Sequence, residues 1–276
     1  MTRETRQRLE DGSELLAFPD FSSGFVRQRT VLVWLPPGYA ASANGCRVIY
    51  AHDGQNLFDP QTAFAGVDWG LHTAIGRLIA DGRIRNTLAV GIWNTPDRYQ
   101  EYDPQKVVEQ YLDEQEQAGY QAEHGRPMAD RYLQFIVQEL KPFIDSRFRT
   151  LPAAVDNLLL GSSMGGIVSV YALCEYPGVF GAAACLSTHW PTGNGKMIDY
   201  LADRLPDAQD HRLYFDYGTE TVDAQYEPFQ RQVDDLLRRR GYVEGRHWIT
   251  RKFCGADHSE RSWRRRIDIP LRFLLR

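Results

Sequence analysis

The stretch Asn157-Leu158-Leu159-Leu160 passes without a break into Gly161-Ser162-Ser163-Met164-Gly165-Gly166 and then into Ile167-Val168-Ser169-Val170-Tyr171-Ala172-Leu173. The short apolar run reads as a buried strand, and the longer apolar stretch behind the glycines reads as a helix. Joining the two within a few residues demands a sharp turn, so the positions flanking its tip have to be nearly free of side chain. Gly161 and Gly165 occupy those positions around Ser163. Ser162 does not fit the same frame, because Leu160 and Met164 flank it. The serine at the tip of such a strand-turn-helix unit stands at the carboxyl edge of a sheet, the setting that a nucleophile elbow requires.

Short apolar runs alternate with helical patterns along most of the chain. Strands are expected over 30–35, 47–51, 87–93, 157–160, 182–186, 212–217 and 248–253, and helices over 67–81, 130–146, 164–176, 196–205, 224–241 and 259–275. That rhythm predicts an α/β fold, a mostly parallel central sheet with helices on both faces. With 276 residues, no repeat and no linker, a single domain over 1–276 is expected. One segment departs from the rhythm. Residues 97–128 follow Pro96, carry Pro104 and a charged stretch from Val107 to Glu123, and are expected to form a lid or pocket wall, with an inert surface excursion as the alternative.

The hydrophobic share of 43% and charged share of 25% are those of an ordinary globular chain. A formal net charge of -4 offers no general attraction to nucleic acid or to an anionic membrane. The clusters Arg238-Arg239-Arg240 and Arg264-Arg265-Arg266 are expected on solvated helix faces. Cys46, Cys174, Cys185 and Cys254 lack metal-binding spacing and lie in or beside apolar stretches, so buried free thiols are expected. No apolar run spans a membrane, and Met1-Thr2-Arg3-Glu4-Thr5-Arg6 lacks the core of a secretion signal, which predicts a cytoplasmic location.

A serine hydroxyl needs a positioned base to become a nucleophile. On this sheet plan the partners follow the serine in the order acid, then histidine, on loops after later strands. Among the seven histidines, His124 precedes the elbow, and His211 and His247 precede strands rather than follow them. His189 follows the strand after the elbow, too early for that order but near enough to line a pocket. His258, in Asp257-His258-Ser259, lies after the last strand and before the last helix, the place for the base. The acid belongs in the loop after the preceding strand. Asp216 is still inside that strand and is expected to point away or pair locally. Glu220 and Asp223 both lie on the loop, and Asp223 is favoured because backbone donors at the start of the next helix would hold it. An oxyanion hole needs two backbone N–H groups. Met164 supplies one by position, and Gln55, beyond Gly54 in the loop His52-Asp53-Gly54-Gln55-Asn56, is expected to supply the other. Hydrogen bonding within that loop accounts for His52 and Asp53 without a metal.

With these residues in place the chain resembles the putative-esterase family of α/β-hydrolases, which includes enterochelin-esterase-like and esterase D-like proteins, feruloyl and acetyl-xylan esterases and mycolyltransferases. The resemblance is carried by Val33-Trp34-Leu35-Pro36-Pro37-Gly38-Tyr39, Tyr50-Ala51-His52-Asp53-Gly54-Gln55-Asn56-Leu57-Phe58-Asp59 and Gly91-Ile92-Trp93-Asn94 with Arg98 and Glu101-Tyr102. It continues through residues 161–166 and ends at Asp257-His258-Ser259. It implies an α/β-hydrolase fold, Ser163 as nucleophile, His258 as base and an oxyanion hole in the loop at residues 52–56. The implied activity is hydrolysis of a small-molecule carboxylic ester without cofactor or metal, nucleic acid or membrane. Many relatives carry an aspartate three residues after the glycine of a Gly-Thr pair. Here that position is Thr221, which leaves Asp223 or Glu220. Arg98 is expected either to clamp a substrate carboxylate or phenolate or to pair with Glu101, and His189 and Trp190 to line the acyl or alcohol pocket. Acyl transfer to an alcohol, and a binding module that keeps the fold without the chemistry, are the alternatives.

Overall fold

The alternating pattern resolves into one nine-stranded sheet in the computed structural model, which describes residues 4–276. Residues 1–3, part of the stretch read for a targeting signal, lie outside the described residues. The strands are β1 (Thr5–Arg8), β2 (Glu14–Phe21), β3 (Arg29–Leu35), β4 (Arg47–Ala51), β5 (Thr87–Ile92), β6 (Asn157–Ser162), β7 (Ala182–Leu186), β8 (Arg212–Gly218) and β9 (Trp248–Phe253). Their order is β1-β2-β3-β5-β4-β6-β7-β8-β9. From β5 to β9 every pairing is parallel, whereas β1, β2 and β3 form an antiparallel ribbon that joins the sheet along β5. The fold is therefore α/β with a mostly parallel sheet.

The helices are α1 (Leu71–Ala80), α2 (Arg98–Tyr102), α3 (Gln105–Tyr111), α4 (Glu114–His124), α5 (Ala129–Gln134), α6 (Lys141–Arg147), α7 (Met164–Glu175), α8 (Met197–Arg204), α9 (Glu227–Arg239), α10 (Glu260–Arg266) and α11 (Asp268–Leu274). A π-helical turn at Phe135–Leu140 joins α5 to α6. The strands β4, β5, β6 and β7 are buried at every residue, as they must be when helices cover both faces. Alternate side chains divide between two cores. Val48, Tyr50 and Leu159 face α5 to α9, while Ile49, Ala51, Leu158 and Leu160 face α1, α10 and α11.

Three sequence expectations change. The ribbon strands β1 and β2 carry no readable alternation: β1 is exposed throughout, and Pro19 with Asp20 (φ 57) bends β2 where its register shifts. The helix expected over 259–275 breaks at Ile267, because Pro270 has no N–H and its ring would meet the carbonyl of Arg266 one turn back. Residues 97–128 are not irregular but hold α2, α3 and α4. The helix α4 buries only Tyr120 and starts with a capping box between Asp113 and Glu116, so it had no apolar stripe to read. This segment packs on α5, α7 and α8.

Among the described residues, no helix is long and apolar enough to cross a membrane.

Candidate active site

The junction of β6 and α7 holds Ser163 at φ 55, ψ -122, a conformation that costs strain in any residue with a side chain. The Ser163 N–H donates to the Leu186 carbonyl (2.9 Å), and its own carbonyl accepts from the His189 N–H (3.1 Å), which clamps the turn against the end of β7. The two glycines are not equivalent. A Cβ on Gly161 would run into the Gly165 backbone, whereas the nearest atom to a Cβ on Gly165 is His52 Cβ at 3.5 Å, an ordinary contact. The strain recurs along this edge. Six described non-glycine residues have positive φ, and four of them follow consecutive parallel strands: Asp53 after β4, Ser163 after β6, Ser187 after β7 and Thr221 after β8.

His258 comes from the loop after β9. Its Nδ1 lies 2.5 Å from Oδ1 of Asp223, which sits in the turn after β8, and its N–H donates to Thr221 Oγ1 (3.0 Å). The side chain of Asp223 is fully buried, and Oδ2 accepts from Ser187 Oγ and from the Gly218 N–H, each at 2.6 Å. Burial pushes the Asp223 carboxyl up, but the hydrogen bonds from His258, Ser187 and Gly218 outweigh it and hold the group below its ordinary value. Glu220 is exposed and lines a separate cleft behind the His258 loop. The Trp263 indole and the His258 ring meet at near right angles, centroids 5.1 Å apart.

Ser163 and His258 line one cavity of about 430 Å³, with Asp53, Gln55, Asn94, Arg98 and Phe64 among its walls. No acceptor among the described residues takes the amide N–H of Met164 or Gln55, so both remain free to donate. The loop that carries Gln55 is pressed onto β5, where a Cβ on Gly54 would fall 2.5 Å from the Gly91 carbonyl carbon. Among the described residues, no three His, Cys, Asp or Glu side chains come together as metal ligands.

The family model described as "Putative esterase" matches residues 22–273. The chain belongs to the putative esterase family. Membership supports ester hydrolysis as its class of activity. The chain is 22% identical over 224 residues to Uncharacterized protein YbbA of Bacillus subtilis (strain 168), a match covering 78% of this chain and 80% of the relative. Among solved structures it is similar to a ferulic acid esterase, with a TM-score of 0.70, 17% identity and coverage of 95% of this chain and 98% of the other. It is also similar to an IroE-like serine hydrolase from Shewanella oneidensis, with a TM-score of 0.69, 21% identity and coverage of 100% and 80%. These likenesses show a shared α/β-hydrolase fold.

In this esterase-family chain several side chains stand elsewhere than their sequence suggested. Arg98 does not pair with Glu101. Its Nε and Nη2 donate to the two oxygens of Asp53 (2.7 and 2.8 Å), and Asn94 Nδ2 donates to Asp53 Oδ1 (2.6 Å). Glu101 is buried and paired instead with Arg29, through bonds of 2.5 and 2.9 Å. Burial pushes the Asp53 carboxyl up, but Arg98 and Asn94 hold it below its ordinary value. Trp190 is not on the cavity. It is 1% exposed, packed on Phe215, with Nε1 donating to Gln230 Oε1 (3.1 Å). His189 lies beside the elbow with Nδ1 2.7 Å from the Tyr226 hydroxyl, and it does not contribute to the cavity wall. Burial, with His258 and Arg98 nearby, lowers its pKa to about 4. Of the segment 97–128, Arg98 alone reaches the cavity.

All four cysteines are free, but only Cys46 and Cys185 are buried, with Cys174 half-buried and Cys254 exposed. Arg264 pairs with Asp68 and Arg266 is buried against Asp216, so that cluster is not a solvated face. Asp216 pairs within its own surroundings, with Tyr214, Ser187 and Arg266, and the closure of Ser187 and Arg266 around Asp223 is the part the sequence did not show. The one signal for them was Asp216, a charged residue inside an otherwise buried apolar strand.

Proposed function

We propose that the chain hydrolyses a small-molecule carboxylic ester through an acyl-enzyme on Ser163. The observation that carries this reading is the single cavity lined by both the elbow serine and an imidazole whose Nδ1 is tied to a buried carboxylate. His258 takes the Ser163 proton on Nε2 while Oγ attacks the ester carbonyl carbon. Asp223 keeps the other ring proton on Nδ1 and stabilises the imidazolium that forms. The unpaired Met164 and Gln55 amides donate to the oxyanion of the tetrahedral intermediate. His258 then returns its proton to the departing alcohol. In the second half, water loses a proton to His258 and attacks the acyl carbon, and collapse of that intermediate releases the acid and restores Ser163.

Arg98 has two of its nitrogens committed to Asp53, and its remaining donors at the cavity wall are placed to orient an acceptor oxygen of the substrate, a carboxylate or phenolate among them.

The test is Ser163→Ala with a simple aryl ester, together with a fluorophosphonate probe. Turnover is expected to vanish from a folded variant, and the parent is expected to gain one adduct at Ser163. Retained turnover, or a parent that takes no adduct, overturns the assignment. Product analysis with added alcohols separates hydrolysis from acyl transfer.

A further inference from the structure

Behind the His258–Asp223 bond lies a buried polar cluster that the reaction scheme does not use. Ser187 directly follows β7, is fully buried and is held at φ 42. Its Oγ donates to Asp223 Oδ2 (2.6 Å) and accepts from Trp263 Nε1 (3.0 Å) and from Arg266 Nη2 (2.8 Å). A hydroxyl owns one proton and two acceptor positions. Here an indole and a guanidinium, which only donate, fill both acceptor positions, so the single hydroxyl proton is committed to Asp223. Oδ2 also receives the Gly218 N–H (2.6 Å). With two donors already on Oδ2, a proton has no room there. The only other oxygen, Oδ1, faces His258 Nδ1 at 2.5 Å.

Arg266 supplies the charge at the base of this chain. It is 3% exposed, stacked over the Phe253 ring at 4.7 Å, and its Nη2 lies 4.0 Å from Asp223 Oδ2. Asp216 holds it, with Oδ1 accepting from Arg266 Nη2 (2.8 Å) and from the Ser187 N–H (3.0 Å), and Oδ2 accepting from the Tyr214 hydroxyl (2.8 Å). The other titratable groups packed around the pair are His189 after β7, Tyr226 before α9 and Glu260 on α10.

We propose that Ser187, oriented by Arg266 and Trp263 and seated on Asp216, is a positioning residue that keeps Asp223 ionised and so fixes the proton of the pair on His258 Nδ1. Its kinetic consequence rests on the esterase reading; its effect on the imidazole does not. Without the Ser187 hydroxyl, Asp223 Oδ2 loses one of its two donors and the carboxylate becomes the stronger base. The imidazolium is then favoured, and the acid limb of kcat/KM, which reports protonation of the base, moves to higher pH. Replacing Asp216 by asparagine removes a negative charge of the cluster and leaves Arg266 less compensated. That disfavours the imidazolium, and the same limb moves to lower pH.

The experiment compares Ser187→Gly, which suits the positive φ, Ser187→Ala, which does not, and the isosteric Asp216→Asn. Both Ser187 variants are expected to lose roughly ten- to a hundred-fold in kcat with KM unchanged. Their acid limb is expected about one pH unit higher, and that of Asp216→Asn lower. In parallel, the nitrogen-15 and low-field proton spectra of His258 are recorded without substrate. The parent is expected to show one Nδ1–H tautomer, and the Ser187 variants a low-field signal displaced further downfield. A purely structural role would lower stability and kcat without opposite displacements of the limb. Limbs that stay in place, or that move the same way in both kinds of variant, overturn the proposal. A His258 spectrum in the Ser187 variants identical to the parent overturns it as well. Should the parent turn over no ester, the esterase reading falls, while the spectra still decide what Ser187 does to His258.

Discussion

A Cβ placed on Gly161 would sit 2.5 Å from the carbonyl carbon of Gly165, inside the backbone of the elbow it is meant to support. The end of β6 and the first turn of α7 therefore touch backbone to backbone. Gly161→Ala has to push α7 away from the strand, and is expected to destabilise the fold by about 3 kcal/mol and to abolish labelling of Ser163 by a fluorophosphonate. Gly165→Ala meets only ordinary contacts and is expected to fold with a loss below about 1 kcal/mol. Denaturant unfolding of both variants checks this. Equal losses would mean that the elbow is not pinned at Gly161.

The candidate acids separate by burial as well as by position. Asp223 is enclosed and bonded to His258, Ser187 and Gly218, whereas Glu220 faces solvent two residues beyond the end of β8. Asp223→Asn keeps the volume but presents an amide that either donates to His258 Nδ1 or accepts with a neutral oxygen. Turnover of an aryl ester is expected to fall by about 10³ to 10⁴ in kcat. Glu220→Gln is expected to keep the parental kcat. Steady-state kinetics on both decide it, and a large loss in Glu220→Gln with little in Asp223→Asn would reverse the assignment.

The parallel half of the sheet was readable because burial on both faces writes itself as uninterrupted apolar runs, as in Asn157–Ser162 and Ala182–Leu186. The ribbon β1–β2 was not, since an exposed edge strand of Thr, Arg and Gln and a strand broken by Pro19 carry no period. Local spacing likewise pointed to Ser163, and chain order to His258. It could not say which arginine meets which carboxylate. Arg98 and Glu101 stand one helical turn apart, yet the first reaches Asp53 on the β4 loop and the second Arg29 on β3. Those partners are set by the strand order β3-β5-β4, which places the loop after β5 between them and which no short sequence window contains. Trp190 misled for a related reason. It stands four residues beyond the end of a strand at the carboxyl edge of the sheet, but the chain there turns inward and the indole fills the core.

The Arg98–Asp53 pair is worth testing as a unit. Asp53 is 5% exposed, so removing its cation leaves a carboxylate enclosed with Asn94 as its remaining side-chain donor. Arg98→Met is expected to cost about 2 kcal/mol, less than a fully enclosed pair because Arg98 itself reaches the cavity. The double variant Asp53→Asn with Arg98→Met removes the uncompensated charge and is expected to recover at least half of that loss. A double-mutant cycle by denaturant unfolding reads the coupling directly. Additive losses would show that the pair does nothing for stability.

His52 provides a pH signature of the same loop. Its Nδ1 lies 2.8 Å from the Tyr132 hydroxyl, its Nε2 is buried with no partner among the described residues, and burial lowers its pKa from 6.5 to about 4. A histidine depressed in the folded state is neutral there while the unfolded chain takes up the proton. Its contribution is therefore present in full above about pH 6.5 and lost as the pH falls toward 4, a change of about 3 kcal/mol. Asp103 works against it, because burial pushes that carboxyl up to about 7 despite the Tyr120 hydroxyl, and stability tied to it is lost as the pH rises across the same range. The parent's stability curve alone thus mixes opposite slopes, and the difference from a His52→Asn variant isolates the histidine. The parent is expected to lead the variant most at pH 7.5, with the lead shrinking by about 2 to 3 kcal/mol at pH 4.5. Denaturant midpoints at half-unit pH steps measure it. A lead that stays constant across that range would mean that His52 titrates alike in the folded and unfolded chain.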